Sequence, residues 1–229
     1  MKVGSAIESV RERRGDFEEW FAQILGGQGH LEVADATTGT TLPDPGGYAG
    51  VIVPGSSASV RDETPWMREL QTWVGAAVDR HVPMLGVCFG HQIFGEALGG
   101  RVERNPLGRE IGTVQIELTR EGGMDPVFQG LPRIFRANAT HRDAVVRLPE
   151  GASVLAANAH GLQAFRIGSA VAVQFHPEMD GDAVRGYIAA RAEDLAAEGL
   201  DSSKLLRGAR DCPMATMVIR NFAGLGPPG

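Results

Sequence analysis

The stretch Leu85-Gly86-Val87-Cys88-Phe89-Gly90-His91-Gln92 decides how this chain folds. Met84 to Val87 is a short, uninterrupted apolar run of the kind found in a buried strand. Ile93, Phe94, Ala97 and Leu98 then keep helical spacing, and Gly99-Gly100 stops the helix. Cys88 therefore falls at a strand-to-helix turn, the geometry of a nucleophile elbow. Such a turn is sharp and brings neighbouring backbones together, so a Cβ at Gly86 or Gly90 would have no room. The positive end of the following helix favours a thiolate over a thiol. A free cysteine is more often a small core residue, so the elbow alone leaves both readings open.

A second stretch narrows the choice. Val171-Ala172-Val173-Gln174-Phe175 is strand-like and runs into His176-Pro177-Glu178. Residues two apart in extended chain point the same way, so imidazole and carboxylate can project together. If this strand end lies beside the elbow, the pair supplies the base and the orienting acid of a nucleophilic triad. A cysteine-based α/β-hydrolase would instead place its acid before its histidine.

Gly86 to Gln92 (G-V-C-F-G-H-Q) and Gln174 to Glu178 (Q-F-H-P-E) resemble the two signatures of the class I, triad-type glutamine amidotransferases. Pro54 to Val60, Asn105 to Gly112 and Thr140 to Val145 resemble the branch related to the glutaminase domain of GMP synthase, and the likeness runs from about Met1 to about Tyr187. The resemblance implies a flavodoxin-like α/β fold, with a mainly parallel central sheet, helices on both faces and additional short antiparallel strands. It implies that Cys88 attacks a γ-carboxamide, that His176 moves the proton and that Glu178 orients the imidazole. Phe89, as the residue after the nucleophile, supplies one oxyanion N–H, and the resemblance assigns the other to Gly55. Ser57, Gln92 and the loop Thr140, His141, Arg142 and Asp143 are the implied partners of the substrate's α-amino and α-carboxylate groups. Two departures bear on the substrate more than on the reaction: Pro54-Gly55-Ser56 replaces a Gly-Gly-Pro loop, and Arg142 stands where glycine is usual.

The remaining chain fits an α/β pattern. Lys2 to Ile7 reads as a first strand, followed by a helix whose capping box is Asp16 and Glu19 and whose apolar face is Phe17, Trp20, Phe21, Ile24 and Leu25. Leu31 to Val33 is a weaker strand and Gly50 to Val53 a buried one. Thr64 and Pro65 then start a helix with Trp66, Met67, Leu70, Trp73, Val74, Ala77 and Val78 on one face, a stripe that core packing explains. This order argues, apart from any resemblance, for a mainly parallel sheet covered on both faces. After Gly100, six short strands are expected at 112–118, 134–138, 144–147, 153–157, 162–166 and 170–175, then helices at 180–197 and 213–222. Residues 1–229 are expected to form one amidotransferase-like domain, with a core to about 190, a helical extension over 191–229 and a frayed tail at 224–229.

Composition excludes several classes. A net charge of −6, with Lys2 and Lys204 the only lysines, gives no basic surface for nucleic acid, and no run has the apolar length of a membrane span. Met1 to Glu8 is too short and too soon acidic for a signal peptide, so a cytoplasmic location is expected. Cys88 and Cys212 give no C-x-x-C spacing, so neither a metal nor another cofactor is expected, and Cys212 reads as structural. His91 reads as a packing residue, His30, His81 and His160 as ordinary loop or core residues, and Arg11 to Arg14 as a solvated loop. Neither a G-x-x-x-x-G-K-[ST] loop nor a Ser-Gly-Gly-x-Asp loop is present, so no fused synthetase is expected. The partner is then a small molecule, glutamine or another γ-glutamyl compound, with a synthetase or acceptor subunit in trans as a further option. Three functions remain: a glutaminase or amidotransferase subunit, a free-standing γ-glutamyl hydrolase, and a non-catalytic glutamine sensor that would have no need of all three of Cys88, His176 and Glu178.

Overall fold

The computed structural model describes residues 1–27 and 30–224. An extended segment leads into α1 (Glu8–Arg14) and α2 (Phe17–Leu25), followed by β1 (Val51–Val53), α3 (Pro65–Asp79), β2 (Met84–Val87) and α4 (Phe89–Ala97). Next come β3 (Arg101–Arg104), β4 (Glu110–Leu118), α5 (Arg120–Met124), β5 (Ile134–His141), β6 (Asp143–Arg147), β7 (Ser153–Asn158), β8 (Gly161–Ile167) and β9 (Ala170–Val173). Then follow α6 (Gly181–Ala190), α7 (Ala192–Ala197), α8 (Ser202–Gly208) and α9 (Pro213–Phe222). All but Gly224 of the tail expected at 224–229 lies outside the described residues.

The α/β fold anticipated from the sequence is present. The central sheet has the order β1-β2-β9-β8-β7-β4-β5, with β3 and β6 paired separately. β1 with β2 and β2 with β9 are parallel, and the other central pairings are antiparallel. The elbow strand β2 therefore lies between two parallel neighbours. All four residues of β2, like those of β9, are buried, which is why both read as unbroken apolar runs rather than alternating ones.

Alternation along these strands divides the core. Leu85, Val87, Val171 and Val173 pack with Phe17, Trp20 and Phe21 of α2 and Val218 and Ile219 of α9. Met84, Ala170 and Ala172 face the other way, toward Met67, Leu70 and Val74 of α3 and Ile93 and Phe94 of α4. Each large apolar side chain buried this way contributes roughly 1.5–3 kcal/mol. Leu70, fully buried, is a position where truncation to alanine costs about 2–5 kcal/mol.

Several local expectations are revised. Lys2 to Ile7 does not form a strand: a single parallel bridge joins Lys2 to Asp35. Side chains have taken the backbone groups a ladder would use, since Ser56 Oγ donates to the Val3 carbonyl at 2.7 Å and Ala6 N–H donates to Asp16 Oδ1 at 2.8 Å. The segment still borders β1, with the Met1 amine donating to Ile52 O at 2.8 Å. Leu31 to Val33 has no ladder either, and Leu31 and Val33 are exposed. Arg11 to Arg14 lie on a helix, not a loop, where Arg14 pairs with Asp180 and Arg13 reaches Asp182 at 3.9 Å. Thr64 precedes α3 without a side-chain capping bond. The helix expected over 180–197 is broken at Arg191 into α6 and α7. Among the described residues no helix is long and apolar enough to cross a membrane.

Candidate active site

Strain and close packing fix the elbow. Cys88 has φ 53° and ψ −94°, a backbone conformation costly for a residue with a Cβ. Its N–H donates to Val173 O of the parallel neighbour at 2.9 Å, and the Gly90 N–H reaches Pro54 O at 3.2 Å. A Cβ on Gly90 would stand 2.1 Å from the Val53 carbonyl oxygen, and one on Gly86 would stand 2.6 Å from the backbone of Gly90. Both flanking glycines are thus dictated by backbone contact. Phe89, the first residue of α4, has an N–H with no intrahelical acceptor.

His176 is anchored through its N–H, which donates to Asn138 O at 2.8 Å. Its Nδ1 meets Glu178 Oε1 at 2.6 Å. The pair forms in a turn that follows β9, not in the extended chain expected from the sequence. Both side chains are buried, and among the described residues His176 Nε2 and Glu178 Oε2 have no hydrogen-bond partner. Burial works against a charged imidazole here, but the Glu178 carboxylate and the charge of a Cys88 thiolate more than offset it, so His176 is raised above its ordinary pKa. Phe17 stacks on the imidazole at 6.4 Å between ring centres. A Cβ on Gly55 would come within 2.8 Å of His176 Cε1, which explains the glycine there and puts Gly55 beside the site. Cys88 Sγ itself lies 3.8 Å from Thr140 O.

In front of Cys88 is a cleft of about 120 Å³ lined by Ser57, Phe89, Gln92, Thr140, His141, Arg142 and Asp143, so the candidate binding residues are brought together. Some are already engaged within the protein. Gln92 Nε2 donates to Asp143 O at 2.9 Å and to Gln174 Oε1 at 3.3 Å. His141 faces Asp143 O through Nδ1 at 3.2 Å and Glu110 Oε2 through Nε2 at 2.9 Å. Ser59 Oγ donates to Asp143 Oδ2 at 2.6 Å. Arg142 and Ser57 are exposed at the cleft.

Glu110 lies directly opposite His141 in the β4–β5 register. Burial would raise its carboxyl, yet hydrogen bonds from His141 and Asn158 hold it below the usual carboxylate range. His160 Nδ1, 3.5 Å from Glu110 Oε1, joins this cluster, although nothing in its sequence context named a partner. His91 is fully buried against Phe165, ring centres 5.0 Å apart, and burial pushes its pKa down to about 3. It is a neutral packing residue. Among the described residues no group of three or more His, Cys, Asp or Glu could hold a metal ion.

Arg109, Arg191 and Asp194 also line the cleft, and sequence reasoning gave them no role. Arg109 grips Glu198 through Nε at 2.6 Å and Nη2 at 2.9 Å. Arg191 and Asp194 fell inside what read as one continuous helix, and no Gly or Pro signalled the break that turns them to the cleft.

The glutamine amidotransferase class-I family model matches residues 30–190, and the chain belongs to that family. Gamma-glutamyl peptidase 4 of Arabidopsis thaliana is 29% identical over 182 residues, which cover 76% of this chain and 72% of the plant protein. The glutamine-hydrolysing GMP synthase of Thermomicrobium roseum is 35% identical over 131 residues, covering 57% of this chain but 23% of that longer protein. The branch suggested by the motifs is thus represented among its relatives. A glutamine amidotransferase of Thermotoga maritima superposes with a TM-score of 0.76 at 22% identity, covering 95% of this chain and 93% of that one, a likeness of fold.

Proposed function

We propose that this chain is a cysteine amidohydrolase that cleaves the γ-amide bond of glutamine or of another γ-glutamyl compound. The observation that carries the reading is buried His176, bonded through Nδ1 to Glu178 and close enough to Cys88, on its strained elbow, for the thiolate's charge to raise the imidazole's pKa. In this mechanism His176 takes the proton of Cys88, and the thiolate adds to the γ-carbonyl carbon. The N–H groups of Phe89 and Gly55 receive the oxyanion. As the tetrahedral adduct collapses, the imidazolium gives its proton to the departing ammonia or amine and leaves a γ-glutamyl thioester. Water, deprotonated by the same imidazole, then releases glutamate. Glu178 holds the imidazole in the productive tautomer and stabilises its charged form. No phosphoryl donor enters, because the thioester conserves the acyl group until water arrives.

The γ-glutamyl peptidase among the relatives supports a free-standing hydrolase, while the GMP synthase favours a subunit that feeds ammonia to a partner. On either reading residues 1–229 act as one unit in a reducing compartment such as the cytoplasm, where the thiolate survives. Assaying the purified chain without ATP against glutamine and a panel of γ-glutamyl dipeptides tests the proposal. Turnover that disappears in Cys88→Ala is expected. Turnover only after a second protein from the same cell is added would replace the free-standing hydrolase by the partner-activated subunit, and turnover retained in Cys88→Ala would refute the mechanism.

A further inference from the structure

Part of the cleft comes from residues beyond the family match, which ends at residue 190. α6 stops at Ala190 and α7 starts at Ala192. The intervening Arg191 lines the cleft with its guanidinium over the Tyr187 ring, 4.9 Å from the ring centre. Its side chain is partly exposed, but its Nη1 is buried and has no hydrogen-bond partner among the described residues. A buried guanidinium N–H left unpaired is costly. Burial, with Arg109 and Arg142 adding to it, lowers the Arg191 pKa even though Tyr187 and Cys88 act the other way. Arg109, a buried guanidinium in the same wall, is already committed to Glu198. Asp194, three residues after Arg191 and on the same side of the short helix, also lines the cleft and is 65% exposed, with Arg109 at 3.7 Å.

A γ-glutamyl donor placed with its γ-carbonyl on Cys88 ends, two methylenes and an α-carbon further on, in a zwitterion. Its carboxylate needs a cation that is not already paired, and its ammonium needs an anion alongside. Gln92 Nε2 and both ring nitrogens of His141 are engaged within the protein, so they shape the wall instead of meeting this head group. We propose that the α6–α7 junction recognises the α-amino acid head of the donor, the Arg191 guanidinium taking the α-carboxylate and Asp194 the α-ammonium. The proposal rests on the γ-glutamyl reading above and names the residues that set its specificity.

Equilibrium binding to the Cys88→Ala protein, followed by calorimetry, tests it without requiring turnover. The probes are L-glutamate, 4-aminobutanoate, which lacks the α-carboxylate, and glutarate, which lacks the α-ammonium. L-Glutamate should bind roughly ten- to a hundredfold more tightly than either, the range set by a charge-assisted hydrogen bond. Adding Arg191→Gln should bring L-glutamate down to the level of 4-aminobutanoate, while Arg191→Lys should keep part of the difference. Adding Asp194→Asn, at an exposed position, should abolish the preference over glutarate and leave the preference over 4-aminobutanoate intact. Full discrimination in both Arg191→Gln and Asp194→Asn, or no binding of L-glutamate at all, overturns the proposal. Parallel assays of the proteins with Cys88 restored separate the two readings. Turnover of γ-glutamyl donors with discrimination unaffected by Arg191→Gln removes this inference alone. Arg191-dependent binding of L-glutamate in a protein that turns over no donor removes only the hydrolase reading.

Discussion

Cys88 sits at φ 53°, where a glycine would be unstrained and any other residue is not. Cys88→Ala keeps the strain and Cys88→Gly relieves it. The glycine variant is therefore expected to unfold about 1 kcal/mol later than the alanine variant, the reverse of the usual order, with neither showing turnover. Equal stabilities in urea would mean that the elbow stores no strain. Glu178 makes a second residue-scale prediction. Its carboxylate is one of the charges that overcome burial and raise His176, so Glu178→Gln removes an upward influence and His176 must fall. The alkaline limb of kcat/KM, where the imidazolium is lost, should then move to lower pH as kcat drops by roughly two to four orders of magnitude. A limb that stays in place would assign the orienting role elsewhere. At this scale the sequence was informative because backbone contact dictates residue type. Gly86 and Gly90 have no room for a Cβ, and the spacing of His176 and Glu178 is local. Arg191 was illegible because its orphan Nη1 depends on which distant residues surround it, and no spacing rule carries that information.

At the scale of elements, long periodic segments were legible and those held by side chains were not. α2, α3 and α9 announced themselves through apolar spacing and punctuation, and β2 and β9 through unbroken apolar runs. The segment at residues 2–7 looks like a strand in composition but gives its backbone groups to Ser56 and Asp16. α1, rich in arginine, buries only Val10, so it presents almost no apolar stripe to read. The β4–β5 pairing has its own consequence, because it sets Glu110 against His141 and so steadies the junction of β5 and β6 over residues 140–143 along the cleft, which is strand on either side of Arg142 and not the loop expected from the sequence. Glu110 has a depressed pKa in the folded protein. Its contribution is therefore present above its unfolded value, near 4.3, and is lost as the pH falls through the lower folded value. The stability advantage of wild type over Glu110→Gln should be constant above about pH 5 and shrink below about pH 4. Urea unfolding across that range checks it, and an advantage unchanged down to pH 3 would show that the carboxylate's charge is not what stabilises the pair.

Over the whole molecule, the family match and the site do not end at the same residue. The match stops at 190, while Arg191, Asp194 and, through Arg109, Glu198 complete or support the cleft. α6 and α7 are tied to β4 by a small core of Ile111, Val184, Ile188 and Leu195, so the C-terminal helices hold one wall of the site in place. The chain's second thiol provides an internal control for the central claim. Cys212 is buried, and burial, with Asp211 nearby, pushes its pKa up to about 11, so it is a poor nucleophile at neutral pH. The most direct measurement treats the folded protein with a chloroketone analogue of glutamine and locates the adduct by peptide mass. The adduct is expected on Cys88, with its formation slowed by L-glutamate and Cys212 unmodified. An adduct on Cys212 with Cys88 untouched would contradict the account.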